Sequence, residues 1–419
     1  MSEVNGVPEP IGSVSKCQIC GQEDLELVIS LGHQPPVHAH LTPEQLHEPE
    51  TAYPLNLCRC NSCGLLQLDY IADPKIIFRK DYPYLTGMTN MLIENFRSLA
   101  TAVMEKYNLT EKDLVIDIGS NDGTLLKHFV PYGVRVLGVE PTNAAFVAEK
   151  NGILTINDFF NEEVAKRILK EHGKAKVVTA ANVFAHINNL IPMLKGISTM
   201  LSDDGVFISE SQYLFDVIRK LEFDTIYHEH LRYYSLKPLI TLFSKADFSV
   251  VDAERITVAG GSIRVFAMKG VKPPSDRLKL LIEEEEKSGL YDKKTFEEFG
   301  HHIITSSHKL LELLLQCKKD GSKIVGVGAP ARSNTLLNFS HIDNNILNYI
   351  CEKRGSPKIG LYTPGTHIPI VDEERLFREQ PEYALILSWH IQDELVKILR
   401  EKGFRGKIIF PLPEPKIIN

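Results

Sequence analysis

Residues 115–124, VIDIGSNDGT, constrain the fold more than any other stretch. Val115, Ile116 and Ile118 surround Asp117, Gly119 and Gly123 bracket three small polar residues, and a helix-compatible run starts at Leu125. A short apolar run that breaks at glycines and restarts as a helix reads as a buried parallel strand feeding a loop at a helix start. Such a loop offers backbone N–H groups to a ligand. The next strand, expected over 134–140, ends in Glu140, 21 positions after Gly119, where a carboxylate can accept hydrogen bonds from a ribose diol. A nucleoside cofactor is implied.

The order Gly119-Ser120-Asn121-Asp122-Gly123 departs from the G-x-G-x-x-G cradle of a dinucleotide site. Asp117 and Asp122 would repel a pyrophosphate, so a cationic nucleoside without phosphate suits the loop better. The stretch resembles motif I of S-adenosylmethionine-dependent methyltransferases, and Glu140, followed by Pro141, resembles their ribose-binding acid. A dinucleotide site and a purely structural tight turn are the alternatives.

Five of the seven cysteines precede residue 64. Cys17-Gln-Ile-Cys20 and Cys60-Asn-Ser-Cys63 each place two thiols on a tight turn followed by glycine. Four thiolates in this pattern make a closed tetrahedral zinc site joining the ends of a segment too small for much core. Cys58 is expected as a buried spare thiol, with a Cys58/Cys63 combination left open. Reduced core cysteines and a redox pair are the competing readings; no thioredoxin-like strand and helix surround either pair. Between the pairs, 31–36 and 53–55 read as loop and turn, and His33, His38, His40 and His47 as surface histidines.

The 419 residues favour two or three domains. Forty-seven Lys and Arg against 54 Asp and Glu give a formal charge of -7, which supplies no basic field for nucleic acid or an anionic membrane. No cationic-plus-apolar leader and no 18-residue apolar run is present, so a cytoplasmic protein is expected. Oligomeric state is left open.

Alternating strands and helices continue to residue 269. Asn157, Asp158, Phe159 and Phe160 follow the third strand, and Asn182 to His186 stand at the outgoing edge of a fourth over 177–183. In an open parallel sheet such strand ends converge on one crevice. Phe159 or Phe160 could sandwich an adenine and Asp158 or Asn157 recognise its amine, or these residues could simply cap loops and fill core. A fifth strand over 205–213 and two paired strands over 248–254 and 262–269 complete the sheet.

The densest chemistry lies at Tyr227-His228-Glu229-His230. H-E-H lacks the two-residue gap that puts both imidazoles of H-E-x-x-H on one helical face, so a metallopeptidase site is disfavoured. Four polar side chains in a row are costly to bury without a purpose. His230 can accept a proton near neutral pH while Glu229 or Tyr227 steers an enolate or orients that base. His228 could serve instead, and a solvated polar loop is the bland alternative.

Taken together, the cysteine pairs, DYPYLT at 81–86, VIDIGSNDGT, NVFAH at 182–186 and YHEHLRYYS at 227–235 resemble the S-adenosylmethionine-dependent C-methyltransferases that act on nucleotide-linked 4-keto-deoxysugars. The similarity runs through essentially the whole chain. It implies an α/β protein with an N-terminal zinc-binding module (1–75), a seven-stranded Rossmann-like methyltransferase domain (76–274), and a helical connector with a C-terminal Rossmann-like domain (275–419). The family's tyrosine, glutamate and histidine fall on Tyr227, Glu229 and His230, with the histidine as base at sugar C3. A further substrate-side tyrosine falls on Tyr82 or Tyr84. The neighbouring 4-keto group explains the chemistry, because loss of the C3 proton gives an enolate able to attack a sulfonium methyl.

Residues 275–317 read mainly as helix, with 283–286 as a solvated acidic face. A second glycine loop, Gly326-Val-Gly328-Ala-Pro-Ala-Arg332-Ser-Asn334, again joins strand to helix, and Arg332 is placed to meet a phosphate. The resemblance puts it in the C-terminal domain, where the family has Lys at the position of Arg332, WN at Trp389-His390, and an acid at Glu352. Arg332 and Asn334 are thus expected at a sugar-nucleotide wall, with a structural lobe as the alternative. The leading expectation is methyl transfer to C3 of a nucleotide-linked keto-deoxysugar; a small-molecule O- or N-methyltransferase and a non-catalytic zinc-containing nucleotide-binding protein remain the other readings.

Overall fold

The computed structural model describes residues 3–4, 7–8, 11–77, 85–88 and 90–419. The apolar run of the first glycine motif forms the strand Leu114–Ile118, buried along its whole length. Leu114, Ile116 and Ile118 join one core and Val115 the other, as a strand covered on both faces requires. Helix Asn90–Tyr107 packs Phe96, Leu99 and Val103 on the Val115 side. On the opposite side lie Ile168, Leu194 and Leu239, from helices Glu162–His172, Leu190–Met200 and Leu236–Ser244.

Seven strands stand in the order Thr155–Ile156, Arg135–Val139, Leu114–Ile118, Ala175–Ala181, Leu201–Gln212, Ser262–Lys269 and Phe248–Ile256. Only Ser262–Lys269 runs against its neighbours. The connection order reverses between Leu114–Ile118 and Ala175–Ala181, and a crevice opens at such a switch point beyond the carboxyl ends of the strands.

A second sheet repeats the idea. Its order is Ile370–Asp372, Ile350–Glu352, Ile324–Val327, Tyr383–Ile386, Lys407–Phe410 and Lys416–Ile418, parallel except for the last strand. Helices Asp276–Lys287 and Lys293–Lys319 lead into it. The acidic face expected over 283–286 is corrected at Glu285, which is buried and accepts from Tyr213 Oη (2.8 Å), Tyr291 Oη and the Leu236 N–H.

The loop reading of 31–36 and 53–55 is also corrected over 31–34 and 53–55, while Pro35 and Pro36 lie outside the strand as expected. Strands Leu25–Gln34 and Tyr53–Cys60 pair antiparallel, then continue through Leu66–Leu68 to Arg232–Tyr233. Register shifts at Leu27/Ile29 and Ser30/His33 interrupt the period of two, which hides these strands from a pattern reading. The fourth strand of this sheet comes from the 227–235 segment, so the N-terminal module and the polar motif are built into one piece. Helix Lys293–Lys319 crosses it closely: a Cβ at Gly300 would lie 2.7 Å from the Val28 carbonyl oxygen. Among the described residues no helix is long and apolar enough to cross a membrane.

Candidate functional site

A cavity of about 1420 Å³ opens at the crevice. Its walls come from the first glycine loop, the 225–232 segment, His38 of the N-terminal module, and the second glycine loop with residues 352–358 of the C-terminal sheet.

Gly119 takes φ +69°, and a Cβ there would come within 2.5 Å of Val183 Cγ2, so the loop needs glycine on two counts. The Asn121 N–H donates to Glu140 Oε2 (3.0 Å), while Thr142 N–H (2.9 Å) and Oγ1 (2.6 Å) donate to Oε1. Asn157 Nδ2 donates to the Glu140 and Thr142 carbonyls; it buttresses this turn from outside the cavity lining. Asp117 accepts from Thr179 Oγ1 at 2.6 Å, and burial raises its carboxyl to about 7. Pro141, Asp158, Phe159, Asn182 and His186 reach the cavity, with Phe159 exposed at its rim.

Two expected loop residues do not line the cavity. Gly123 is the left-handed N-cap of helix Thr124–Lys127, and Asp122 turns away to accept from the Gly87 N–H (2.8 Å) and Thr124 Oγ1 (2.6 Å). The acidity of the loop end therefore comes from Asp117 and Glu140. These two carboxylates beside backbone N–H groups fit a ribose diol on a nucleoside that carries positive charge better than one that carries phosphate.

On the facing wall, His230 Nδ1 lies 2.9 Å from the Thr225 carbonyl. A carbonyl only accepts, so Nδ1 carries the proton and Nε2 is the unprotonated acceptor, receiving the Tyr227 hydroxyl at 3.0 Å. The two rings lie 4.1 Å apart between centroids. Burial, reinforced by His186, holds the His230 ring at about 3, which keeps it neutral at physiological pH and makes it a weaker base than the near-neutral imidazole expected from the sequence. His186 Nδ1 donates to the Glu229 carbonyl at 2.7 Å, and burial holds that ring at about 4.

His228 is removed as an alternative base by geometry. Its Nε2 donates to the Pro54 carbonyl (3.2 Å), its ring meets Tyr53 edge-on, and it does not line the cavity. The chain turns at 228–229, which sends His228 toward Tyr53 and Pro54 while His230 faces the cavity. Tyr82 and Tyr84 lie outside the described residues.

His38 is the site residue that sequence reading misses. Expected at the surface, it stands in the cavity wall with Nε2 3.6 Å from Glu229 Oε1, and burial followed by the Lys358 charge holds it at about 3. His40 is likewise held at about 4 by burial, whereas His33 and His47 are exposed as expected. No local spacing marks His38; its partner is distant in the chain.

Arg332 reaches the cavity, but its expected freedom to meet a phosphate is corrected. The guanidinium fork is taken by Asp224, with Nε to Oδ2 and Nη2 to Oδ1 both at 2.7 Å, and by Glu222 at 3.3 Å. Asn334 is buried away from the cavity and donates to the Val37 carbonyl at 2.7 Å. What the second glycine loop does present is a repeat of the first: the Ala329 N–H donates to Glu352 Oε2 at 2.8 Å, and Lys358 Nζ donates to the Ala329 carbonyl at 2.6 Å.

Cys17, Cys20, Cys60 and Cys63 bring their sulfurs within 4.8 Å of one another, and Cys58 is outside the group. Cys17–Cys63 and Cys20–Cys60 are 3.5 Å apart, near the ~3.8 Å edge of a tetrahedron with Zn–S of ~2.3 Å. The Ile19 and Cys20 N–H groups point at Cys17 Sγ, and the Cys63 thiol beside it draws Cys17 down to about 5. The donor set fits a structural zinc. Cys58, pushed up to about 12 by burial, is a neutral core thiol.

Three family models match in succession: "Putative zinc binding domain" over residues 17–78, "Methyltransferase domain" over 92–253 and "C-methyltransferase C-terminal domain" over 257–413. The chain is 34% identical over 412 residues to C-methyltransferase NovU of Streptomyces niveus, covering 97% of each chain. Solved structures with a resembling part include magnesium protoporphyrin IX methyltransferase of Synechocystis PCC 6803 with bound SAM (14% identity, TM-score 0.36, 48% of this chain and 99% of that one). An S-adenosylmethionine-dependent methyltransferase of Clostridium acetobutylicum gives 14% identity and a TM-score of 0.34 over 43% and 92%. Likenesses of this size say nothing of activity. The full-length identity to NovU does: the chain belongs to the C-methyltransferase family.

Proposed function

We propose that this protein transfers a methyl group from S-adenosylmethionine to C3 of a nucleotide-linked 4-keto-deoxysugar through an enolate. The observation that carries the reading is the His230 ring, held as the Nδ1–H tautomer with its Nε2 acceptor beside the Tyr227 hydroxyl on the wall of a cavity shared by two glycine loops. S-adenosylmethionine, when bound, supplies the electrophilic methyl. Glu140 holds the ribose diol, the 119–121 loop offers its N–H groups, and Phe159 covers the adenine from the rim.

His230 Nε2 takes the C3 proton, and the electron pair moves into the C3–C4 bond and onto the keto oxygen. The Tyr227 hydroxyl, which donates to His230 Nε2 in this structure, turns to that oxygen as charge develops and so releases Nε2 for the proton, and Glu229 balances the imidazolium. The enolate carbon then takes the methyl, and the old carbon–sulfur pair stays on sulfur. The nucleoside diphosphate lies toward the second sheet, where Glu352 mirrors Glu140. Zinc, held by Cys17, Cys20, Cys60 and Cys63, fastens the N-terminal module; the chain divides at about residues 75 and 274.

Incubation with S-adenosylmethionine and a panel of nucleotide-linked keto sugars, read by mass and by carbon–proton NMR, tests this directly. A new quaternary or tertiary carbon at C3 is the expected product. A methyl found on oxygen or nitrogen overturns the proposal.

A further inference from the structure

The Asp224 carboxylate is fully buried and saturated by the C-terminal domain. Arg332 brings two hydrogen bonds of 2.7 Å, Trp389 Nε1 donates to Oδ2 at 2.7 Å, and the guanidinium lies 4.9 Å from the indole centroid. One residue beyond Thr225, the Ile226 carbonyl accepts from Thr335 Oγ1 at 2.9 Å, again from the C-terminal domain. Thr225 is therefore clamped on both flanks by the helix Ala331–Phe339 and its neighbour Trp389. Its own carbonyl is the acceptor that puts the proton on His230 Nδ1, and it also accepts from Tyr233 Oη at 3.0 Å.

We propose that Asp224, Arg332, Trp389 and Thr335 are positioning residues for the methyl-transfer reaction: through them the C-terminal domain holds the turn Phe223–Thr225 so that the Thr225 carbonyl selects the His230 tautomer with an unprotonated Nε2. The proposal rests on the reading of His230 as the base. A neutral imidazole has two tautomers, and the hydrogen bond made by one nitrogen decides which nitrogen is left to accept. If the 225 carbonyl shifts, the Nε2–H form becomes accessible and the face toward the cavity is a donor instead of an acceptor. A bidentate Arg–carboxylate pair with an indole N–H fixes position and direction together, which a single contact would not. Asp224, Trp389 and Thr335 do not line the cavity, so their effect on chemistry must pass through the turn.

The test uses the full chain with two variants. Asp224→Asn keeps the shape but removes the charge that the Arg332 fork grips; Thr335→Val is near-isosteric and removes one hydroxyl from the clamp on Ile226. Three quantities are read: the tautomer of His230 by nitrogen-15 NMR of histidine-labelled protein, with the signal identified by its loss in His230→Asn; the rate of solvent deuterium entry at the acceptor carbon with S-adenosylhomocysteine present; and KM for the sugar nucleotide.

The expected result is a single Nδ1–H form in the parent, mixed tautomers in both variants, and exchange slowed about tenfold or more with KM nearly unchanged. Two outcomes overturn the proposal: variants that keep the Nδ1–H form and the parental rate, or variants that slow exchange with the tautomer untouched. If Asp224→Asn fails to fold, Thr335→Val decides. Parental exchange in His230→Asn would instead refute the base assignment, while the tautomer readout still judges the clamp.

Discussion

Replacing Glu140 by Ala probes the cofactor end of the cavity most directly. The carboxylate has two tasks: it accepts three hydrogen bonds from Asn121 and Thr142, at 3.0, 2.9 and 2.6 Å, and in our reading it accepts the ribose diol. Thr142 and Asn121 sit at the cavity, where water can replace the lost acceptor, so the loop itself should survive. A hydrogen bond to a charged acceptor contributes about 1.5–3 kcal/mol. At about 1.4 kcal/mol per decade this weakens S-adenosylhomocysteine binding roughly 10- to 150-fold. Titration calorimetry on parent and variant, with the thermal midpoint measured alongside, separates lost ligand contact from lost structure. An affinity within about twofold of the parent, in a variant of unchanged thermal midpoint, would refute the diol contact and leave Glu140 as a loop tether only.

Other consequences are equally checkable. Cys60→Ser should lose the tightly held metal and the order of the N-terminal module, and protein purified without chelator should carry about one zinc per chain; metal analysis showing none would end that reading. His230→Asn should bind S-adenosylhomocysteine like the parent and lose about 10²–10⁴ in exchange rate at the acceptor carbon. Burial holds His38 and His230 at about 3 and His40, His186, His228 and His390 at about 4. Unfolded, these rings protonate near pH ~6.5, so the unfolded chain binds more protons between about 4 and 6.5 and stability falls as pH falls through that window. Asp117 and Glu222, raised by burial to about 7, act oppositely: the folded chain keeps protons that the unfolded chain releases, so their contribution is lost as pH rises from about 4 to 7. The six rings outnumber the buried carboxyls, to which Glu285 adds a third raised by burial; a urea midpoint higher at pH 5 than at pH 7 would contradict this.

What the sequence determined by itself is local. A run such as 114–118 has to be a covered strand because every residue in it is apolar or flanked by apolar ones, and Gly119 is legible because it stands where that run must turn into a helix. Two C-x-x-C turns similarly announce four sulfurs in one place. Long-range partners were decided only when the elements packed. His38 became a cavity residue because the turn that follows strand Leu25–Gln34 stands beside Glu229; Glu285 left the surface because Tyr213 and Tyr291 closed over it. Arg332 met Asp224 across the domains, and His228 turned outward while His230 turned in. Periodicity and spacing describe a segment against its own neighbours, whereas a buried charge takes whichever partner tertiary packing brings within hydrogen-bond reach, and that partner can stand a hundred residues away.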